Sequence, residues 1–138
     1  MKNLFISLFL LLSISCYSQD TEHDVKTILI KSSSDSTELH FASVIIFKPN
    51  TQVIKGVAEV YGVYVFDDFS NVEFVAFDYV GHYPIIKNKN ELELDTVVYL
   101  KECKIMMGKG GVVEDKELSR LNRELNKKIN NLNKQHGR

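Results

Sequence analysis

The stretch of the chain most typical of a β-strand is Val72-Glu73-Phe74-Val75-Ala76-Phe77-Asp78-Tyr79. Its β-branched and aromatic residues suit a pleated surface that is buried on at least one side. Turn-forming residues bound it on both sides, with Ser70-Asn71 before it and Gly81 after it. The pattern predicts a strand here, and the rest of the fold can be read outward from it.

Six further stretches have the same character, namely 25–31, 40–47, 53–58, 63–66, 83–86 and 94–100, with 87–90 a polar loop. Short strands with turn signals every 8–12 residues are typical of a β-sandwich. The sequence therefore predicts the all-β class, with a small β-sandwich over residues 24–101. Alternation within the strands predicts a core that contains Val44, Ile46, Phe74, Ala76, Val98 and Leu100.

The N-terminal segment is typical of a secretory signal. Lys2 precedes an apolar run over residues 4–14, which is shorter than the ~20 residues that a membrane span requires. Small residues at Cys16 and Ser18 predict cleavage after Ser18, which would make Gln19 the first residue of the mature chain. Residues 1–18 are accordingly predicted to be a signal peptide, and the protein to be exported to the periplasm or the outer membrane, or secreted.

A second processing route stays open. The residues Ser13-Ile14-Ser15-Cys16 resemble a lipoprotein signal, in which the cysteine becomes the lipidated first residue and attaches the protein to a membrane. Such signals usually have leucine three positions before the cysteine, where this chain has Ser13. Cleavage after Ser18 and lipidation at Cys16 are therefore alternative predictions.

After the sandwich, the pattern changes from strands to a helix. Residues 102–114 form a glycine-containing linker, and residues 115–134 are predicted to be an amphipathic helix whose first turn Asp115 caps. Spacings of 3, 4, 4 and 3 define one apolar stripe of this helix, Leu118, Leu121, Leu125, Ile129 and Leu132. We expect the stripe to contact either a binding partner or the sandwich; the alternative is a disordered tail rich in asparagine and lysine.

Four segments of the predicted sandwich resemble the carboxypeptidase regulatory-like domain family. They are 39–44, which resembles the entry to the second strand; Gly56 with 62–66, which resembles the central hairpin; 75–82, a strand that ends in an aromatic residue, a β-branched residue and glycine; and 95–100, the closing strand. The family's hairpin usually has Thr-Asp before the glycine, where this chain has Ala58-Glu59. The resemblance implies a transthyretin-like β-sandwich that serves as an accessory module without catalytic residues.

Patterns for enzymatic chemistry are missing from the sequence. A zinc carboxypeptidase needs a His-x-x-Glu pair, and none of the four histidines has glutamate three positions later. Gly108-Lys109 lacks the other residues of a phosphate-binding loop. Cys103 has no base near it in sequence that would make it a nucleophile. We therefore expect no enzyme activity, no cofactor and no metal site.

Two functions remain after these exclusions. The first is a non-catalytic binding or assembly module of the bacterial cell envelope, in which the sandwich is the platform and the helical tail binds an envelope protein or a second copy of the chain. The alternative is a carbohydrate-binding module, with Asp67-Asp68 and aromatic residues as the glycan site: Tyr61, Tyr64, Phe66, Phe74, Phe77, Tyr79 and Tyr83. A nucleic-acid partner is not expected, because 17 basic residues are balanced by 18 acidic ones.

The processing prediction can be tested by intact-mass analysis of the protein isolated from envelope fractions. We expect a mass that corresponds to a chain beginning at Gln19, or to a lipidated chain beginning at Cys16. A full-length cytoplasmic species that begins at Met1 would contradict both routes.

Overall fold

The computed structural model describes residues 24–103, 106–108, 111–113 and 115–136. The predicted signal peptide and Cys16 lie outside the described residues. Within them, two β-sheets pack face to face into a small β-sandwich, and a long helix lies on the outer face of one sheet.

The sandwich is built from seven short strands. They are β1 (Lys26–Ser32), β2 (Ser43–Phe47), β3 (Ile54–Val57), β4 (Val63–Phe66), β5 (Phe74–Asp78), β6 (Ile85–Asn88) and β7 (Val97–Leu100). The strand order is β4-β1-β7 in one sheet and β3-β2-β5-β6 in the other. Neighbouring strands are antiparallel except β1 and β7, which are parallel. The predicted mostly-β sandwich is confirmed at this level.

Two α-helices, a pair of short strands and a 3₁₀ turn (Val60–Gly62) lie outside these seven strands. Helix α1 (Lys89–Leu94) separates β6 from β7. Within the predicted linker, β8 (Met106–Gly108) and β9 (Gly111–Val113) pair as an antiparallel hairpin, which the sequence analysis did not predict. Helix α2 (Lys116–His136) follows, in agreement with the predicted helical tail.

The main core lies between the two sheets and is centred on the pairing of β2 with β5. Val44 lies opposite Phe77 in this pair, and Ile46 lies opposite Val75. These side chains meet the inward residues of the second sheet, which are Ile28, Ile30, Phe66, Val98 and Leu100. Each fully buried side chain of this size contributes about 1.5–3 kcal/mol, so this layer supplies most of the driving force for folding.

The predicted core was correct for four residues and wrong for two. Val44, Ile46, Val98 and Leu100 point between the sheets, as expected. Phe74 and Ala76 point to the opposite face of β5 and belong to a second, smaller core beneath α2. The error arose because β5 is apolar on both faces, so alternation alone cannot show which face meets the other sheet.

The loop predicted at 87–90 is instead the end of β6 followed by the first turn of helix α1, which also takes the first residue of the strand predicted at 94–100. The start of this helix is fixed by a capping box, in which Asn88 Oδ1 accepts a hydrogen bond from Glu91 N (2.9 Å) and a Glu91 carboxylate oxygen accepts one from Asn88 N (2.8 Å). The helix buries Leu92 completely in the main core. Strand β7 consequently begins at Val97, three residues later than predicted.

The assignment of faces predicts different stabilities for two phenylalanine variants. Phe77→Ala should lower the free energy of unfolding by about 3–5 kcal/mol, because Phe77 is fully buried between the sheets. Phe74→Ala should cost about 1–3 kcal/mol, because Phe74 is only partly buried under α2. Urea unfolding of both variants measures the difference, and an equal or larger loss for Phe74→Ala would contradict the assignment.

Candidate partner-binding surface

The apolar stripe of α2 packs largely on its own domain. Leu125 is 5% exposed and contacts the outer face of the four-stranded sheet together with Ile129 and Leu132. On the sheet, this second core is formed by Ile45, Phe47, Val53, Phe74, Ala76 and Ile86. The stripe was expected to contact either a binding partner or the sandwich. For Leu125, Ile129 and Leu132, the structure shows contact with the sandwich.

The first two leucines of the stripe are less enclosed. Leu118 and Leu121 are partly buried. Leu121, Leu125 and Glu124 line a recess of about 250 Å³ against β6, where Pro84, Ile85 and Ile86 form the other wall. No helix in the described ranges combines the length and apolar content needed to cross a membrane.

Two polar contacts hold the beginning of α2 in place. Asp115 Oδ1 accepts hydrogen bonds from the backbone N–H groups of Glu117 (2.9 Å) and Leu118 (3.3 Å), so the predicted cap is present. The other carboxylate oxygen, Asp115 Oδ2, accepts a hydrogen bond from the Tyr83 hydroxyl. This bond raises the pKa of Tyr83 to about 12 and lowers the pKa of Asp115 from its usual value.

The largest concentration of exposed apolar side chains lies elsewhere, around strands β3 and β4. Each of these strands is an edge of its sheet, and the Tyr64 side chain of β4 reaches Gly56 of β3, so the two edges lie next to each other. Val57 and Val65 point to the outer faces of the two different sheets on either side of these edges. Six of the ten large apolar side chains exposed among the described residues occur here. We call this set the β3–β4 apolar surface: Phe41, Ile54, Val57, Val60, Tyr61 and Val65.

Unusual backbone conformations present the two aromatic residues of this surface. Phe41 (φ 61°) and Tyr61 (φ 73°) both occupy the left-handed region, which costs a residue other than glycine about 1–3 kcal/mol. Both rings are mostly exposed, at 62% and 64%, and Tyr61 contacts the His40 ring edge-on at 5.7 Å. Burial of these two rings therefore does not offset the cost of their conformation.

Hydrogen bonds and a close approach maintain this conformation. Ala58 N donates to Ala42 O (2.8 Å), which joins the two loops that carry Phe41 and Tyr61. Gly62 follows Tyr61 with φ 72°, and a Cβ atom there would lie 2.5 Å from the Ile30 carbonyl oxygen. Only glycine fits at position 62, so the loop is held against β1 while the two rings stay in solvent.

A shallow recess of about 160 Å³ continues the surface toward the far end of β4. It is lined by Ile46, Lys48, Ile54, Tyr64, Val65, Phe66, Asp67 and Asp68. Hydrogen bonds from Ser70 Oγ (2.6 Å) and Asn71 Nδ2 (3.1 Å) lower the pKa of Asp68 to about 2, with Lys48 3.5 Å away. The Asp68 carboxylate is thus already occupied by partners within its own turn.

The aromatic residues predicted to form a glycan site are scattered. Phe66 and Phe77 are buried in the main core, whereas Phe74 lies under α2 and stacks on Phe47 at 4.3 Å. Tyr64 and Tyr79 pack against the main core and are only partly exposed. Of that set, Tyr61 is the residue that the structure places on the β3–β4 apolar surface. Phe41, which the sequence analysis did not single out, joins it there.

A buried serine–histidine pair has a structural arrangement rather than a catalytic one. His82 Nε2 lies 3.0 Å from Ser32 Oγ, and His82 Nδ1 lies 3.3 Å from the Val80 carbonyl oxygen. A carbonyl oxygen only accepts, so Nδ1 carries a proton, and in the neutral ring Nε2 accepts a hydrogen bond from Ser32 Oγ. A catalytic triad has a carboxylate where Val80 O stands, and both side chains here are buried. The pair joins the end of β1 to the loop before β6.

Other candidate sites are also weak. Burial raises the pKa of the Cys103 thiol, which disfavours its reactive thiolate form. Among the residues that the structure describes, no three His, Cys, Asp or Glu side chains are grouped closely enough to hold a metal ion. Comparison with models of protein families and with curated proteins gives no match to this chain.

The Tyr83–Asp115 contact predicts one tyrosine that titrates late. Phenol ionisation followed by ultraviolet absorbance should show one group with a pKa near 12, and Asp115→Ala should return it toward 10. Because the folded-state pKa of Tyr83 is raised, the stabilisation by this bond is present below pH 10 and is lost as the pH approaches 12. An unchanged titration curve in Asp115→Ala would contradict the contact.

Proposed function

We propose that this chain is a non-catalytic binding module of the bacterial cell envelope, which holds a protein partner on the β3–β4 apolar surface. The observation that carries the proposal is the concentration of exposed apolar side chains on this one side of the sandwich. Exposed apolar side chains that are concentrated around one part of a domain often mark an interaction site. The predicted signal peptide supports the location in the envelope.

The backbone of β3 supports a specific binding mode. Pairs of opposite residues in an antiparallel ladder alternate between hydrogen-bonded and non-hydrogen-bonded. Ala58 N donates to Ala42 O, so the next pair, Ser43 and Val57, is not hydrogen-bonded, and the pair after it, Val44 and Gly56, is. The N–H and C=O groups of Lys55 and Val57 therefore point away from β2, where no strand follows within the described sheet. An extended segment of a partner can pair with this edge, as in strand addition.

The side chains around that edge give such a partner its specificity. Val57 is at the end of β3, and Val60 and Tyr61 follow in the turn toward β4. A strand laid along β3 would meet these apolar side chains and the exposed Phe41 ring. The occupant that fits is therefore an extended, apolar segment of an envelope protein; pairing between two copies through the same edge would give a dimer with equivalent contacts.

The carboxypeptidase regulatory-like, transthyretin-like assignment is likewise a proposal. Two packed sheets of short strands, without a recognisable catalytic cluster in the described residues, are compatible with an accessory module of that kind. Under this proposal the sandwich is the platform and the edge strands carry the interaction.

Carbohydrate binding is the second candidate function. The observation that favours it is Tyr61, which is 64% exposed. Its own left-handed backbone conformation presents the ring to solvent. Exposed aromatic faces can stack on sugar rings. A glycan array probed with the protein and with Tyr61→Ser would support this candidate if specific spots appear and depend on Tyr61.

The protein-partner proposal is tested by pull-down from envelope extracts with the double variant Val57→Ser/Tyr61→Ser. We expect the partner's affinity to fall by about 30-fold or more, because exposed aromatic anchors dominate such interfaces. Tyr99→Ser is the matched control, since Tyr99 is also half exposed but lies on β7, at an edge of the other sheet. Its affinity should change less than about twofold.

Two results would overturn the proposal. Equal recovery of the same proteins by the wild type and the double variant would show that the β3–β4 apolar surface is not the interface. A stronger effect of Tyr99→Ser than of the double variant would place the interface on the β7 side. Circular dichroism of each variant confirms that the sandwich is intact.

A further inference from the structure

The side of α2 that faces away from the sandwich carries a row of positive charge. Spacings of 4, 3, 4 and 7 residues place five basic residues on one side of the helix. We call them the cationic face: Lys116, Arg120, Arg123, Lys127 and Lys134. All five side chains are exposed.

Packing of the apolar stripe fixes the direction of this face. Leu125 and Ile129 contact the sheet, and the cationic residues lie on the opposite side of the helix axis, so they point to solvent. The row spans 18 residues, which is about 27 Å along an α-helix. It is therefore a straight, convex ridge on the outside of the molecule.

Neighbouring acidic residues neutralise little of this charge. Helix α2 contains six basic and two acidic residues, Glu117 and Glu124. Glu124 lies on a flank of the helix, 3.4 Å from Arg120, and both side chains are exposed. The sixth basic residue, Lys128, follows Glu124 by four residues and so lies on the same flank, with its ammonium 4.7 Å from the centre of the Phe74 ring.

The rest of the described chain has the opposite charge. Residues 24–103 contain seven lysines and twelve acidic residues, a net charge of −5, whereas α2 has a net charge of +4. The charges are thus separated between the sandwich and the outer side of one helix. Such a separation orients the molecule in an electric field, with the helix toward negative charge.

We propose that the cationic face docks on an anionic phospholipid membrane surface. A straight row of five exposed basic side chains, about 27 Å long, can place all its charges on a flat anionic surface at once. Lys116, Arg120 and Arg123 also border, with Ser119, a recess of about 310 Å³ that is suited to a headgroup phosphate. Helix α2 has no Phe, Tyr or Trp to stack on unpaired bases, which disfavours single-stranded nucleic acid.

This orientation leaves the β3–β4 apolar surface accessible. The helix covers the outer face of the four-stranded sheet, so the membrane would lie beyond that face, and the edge formed by β3 and β4 would stand at the side. Membrane docking is independent of the proposed partner site, because the two use different residues. Either one can fail without the other.

Vesicle co-sedimentation of the full chain tests the proposal. The probes are phosphatidylcholine vesicles and vesicles of phosphatidylcholine with 30% phosphatidylglycerol. The readout is the ratio of binding to the two vesicle types, and all variants keep residues 1–18, so any contribution of Lys2 and the apolar run at 4–14 is the same in each. We expect anionic vesicles to bind at least about tenfold more tightly at 50 mM salt, and the preference to fall sharply at 500 mM.

Charge-matched variants assign the effect to the cationic face. Arg120→Gln/Arg123→Gln/Lys127→Gln should lose about 100-fold in affinity for anionic vesicles, at roughly fivefold for each basic residue. The control Lys26→Gln/Lys31→Gln/Lys101→Gln removes the same charge from the sandwich, away from the face that α2 covers, and should change the affinity less than about threefold. Equal binding to both vesicle types, or equal losses in both variants, would overturn the proposal, as would binding to heparin or RNA without binding to anionic vesicles.

Discussion

The pairing of β2 with β5 is the interaction on which the rest of the structure depends. Both strands are apolar on both faces, so the pair can be stable in water only if both faces are covered. Val44 and Phe77 on one face require the second sheet, and Ile45 and Ala76 on the other require α2. The second sheet and helix α2 therefore both serve to remove the apolar faces of this strand pair from water.

The general fold could be predicted from the sequence, but not which elements cover the two faces of each strand. Strand β4 was predicted with its correct bounds, and the Asp115 cap and the stripe on α2 were also predicted correctly. These features depend on neighbours in sequence. The assignment of Phe74 to the wrong core and the missed helix α1 depend on tertiary packing, because a period of two is the same on either face and Leu92 gains its burial only inside the sandwich.

In the β3–β4 apolar surface, too, the features that depend on tertiary packing could not be predicted from the sequence. Tyr61 was noted as one of seven aromatic residues, but nothing in the sequence separated it from Phe66 and Phe77, which are buried. Left-handed conformations at Phe41 and Tyr61 are not predictable from residue type, since such residues avoid them in isolation. The structure also reassigns the role of α2: its apolar stripe is mostly used within the domain, so the side available to other molecules is the charged one.

The position of α2 at the end of the described chain affects how the protein is made. Synthesis proceeds from the N-terminus, so the strands can pair before residues 116–136 leave the ribosome. During that interval the face formed by Ile45, Phe47 and Ala76 has no cover. Until α2 is synthesised, a nascent sandwich therefore exposes an apolar face that favours aggregation.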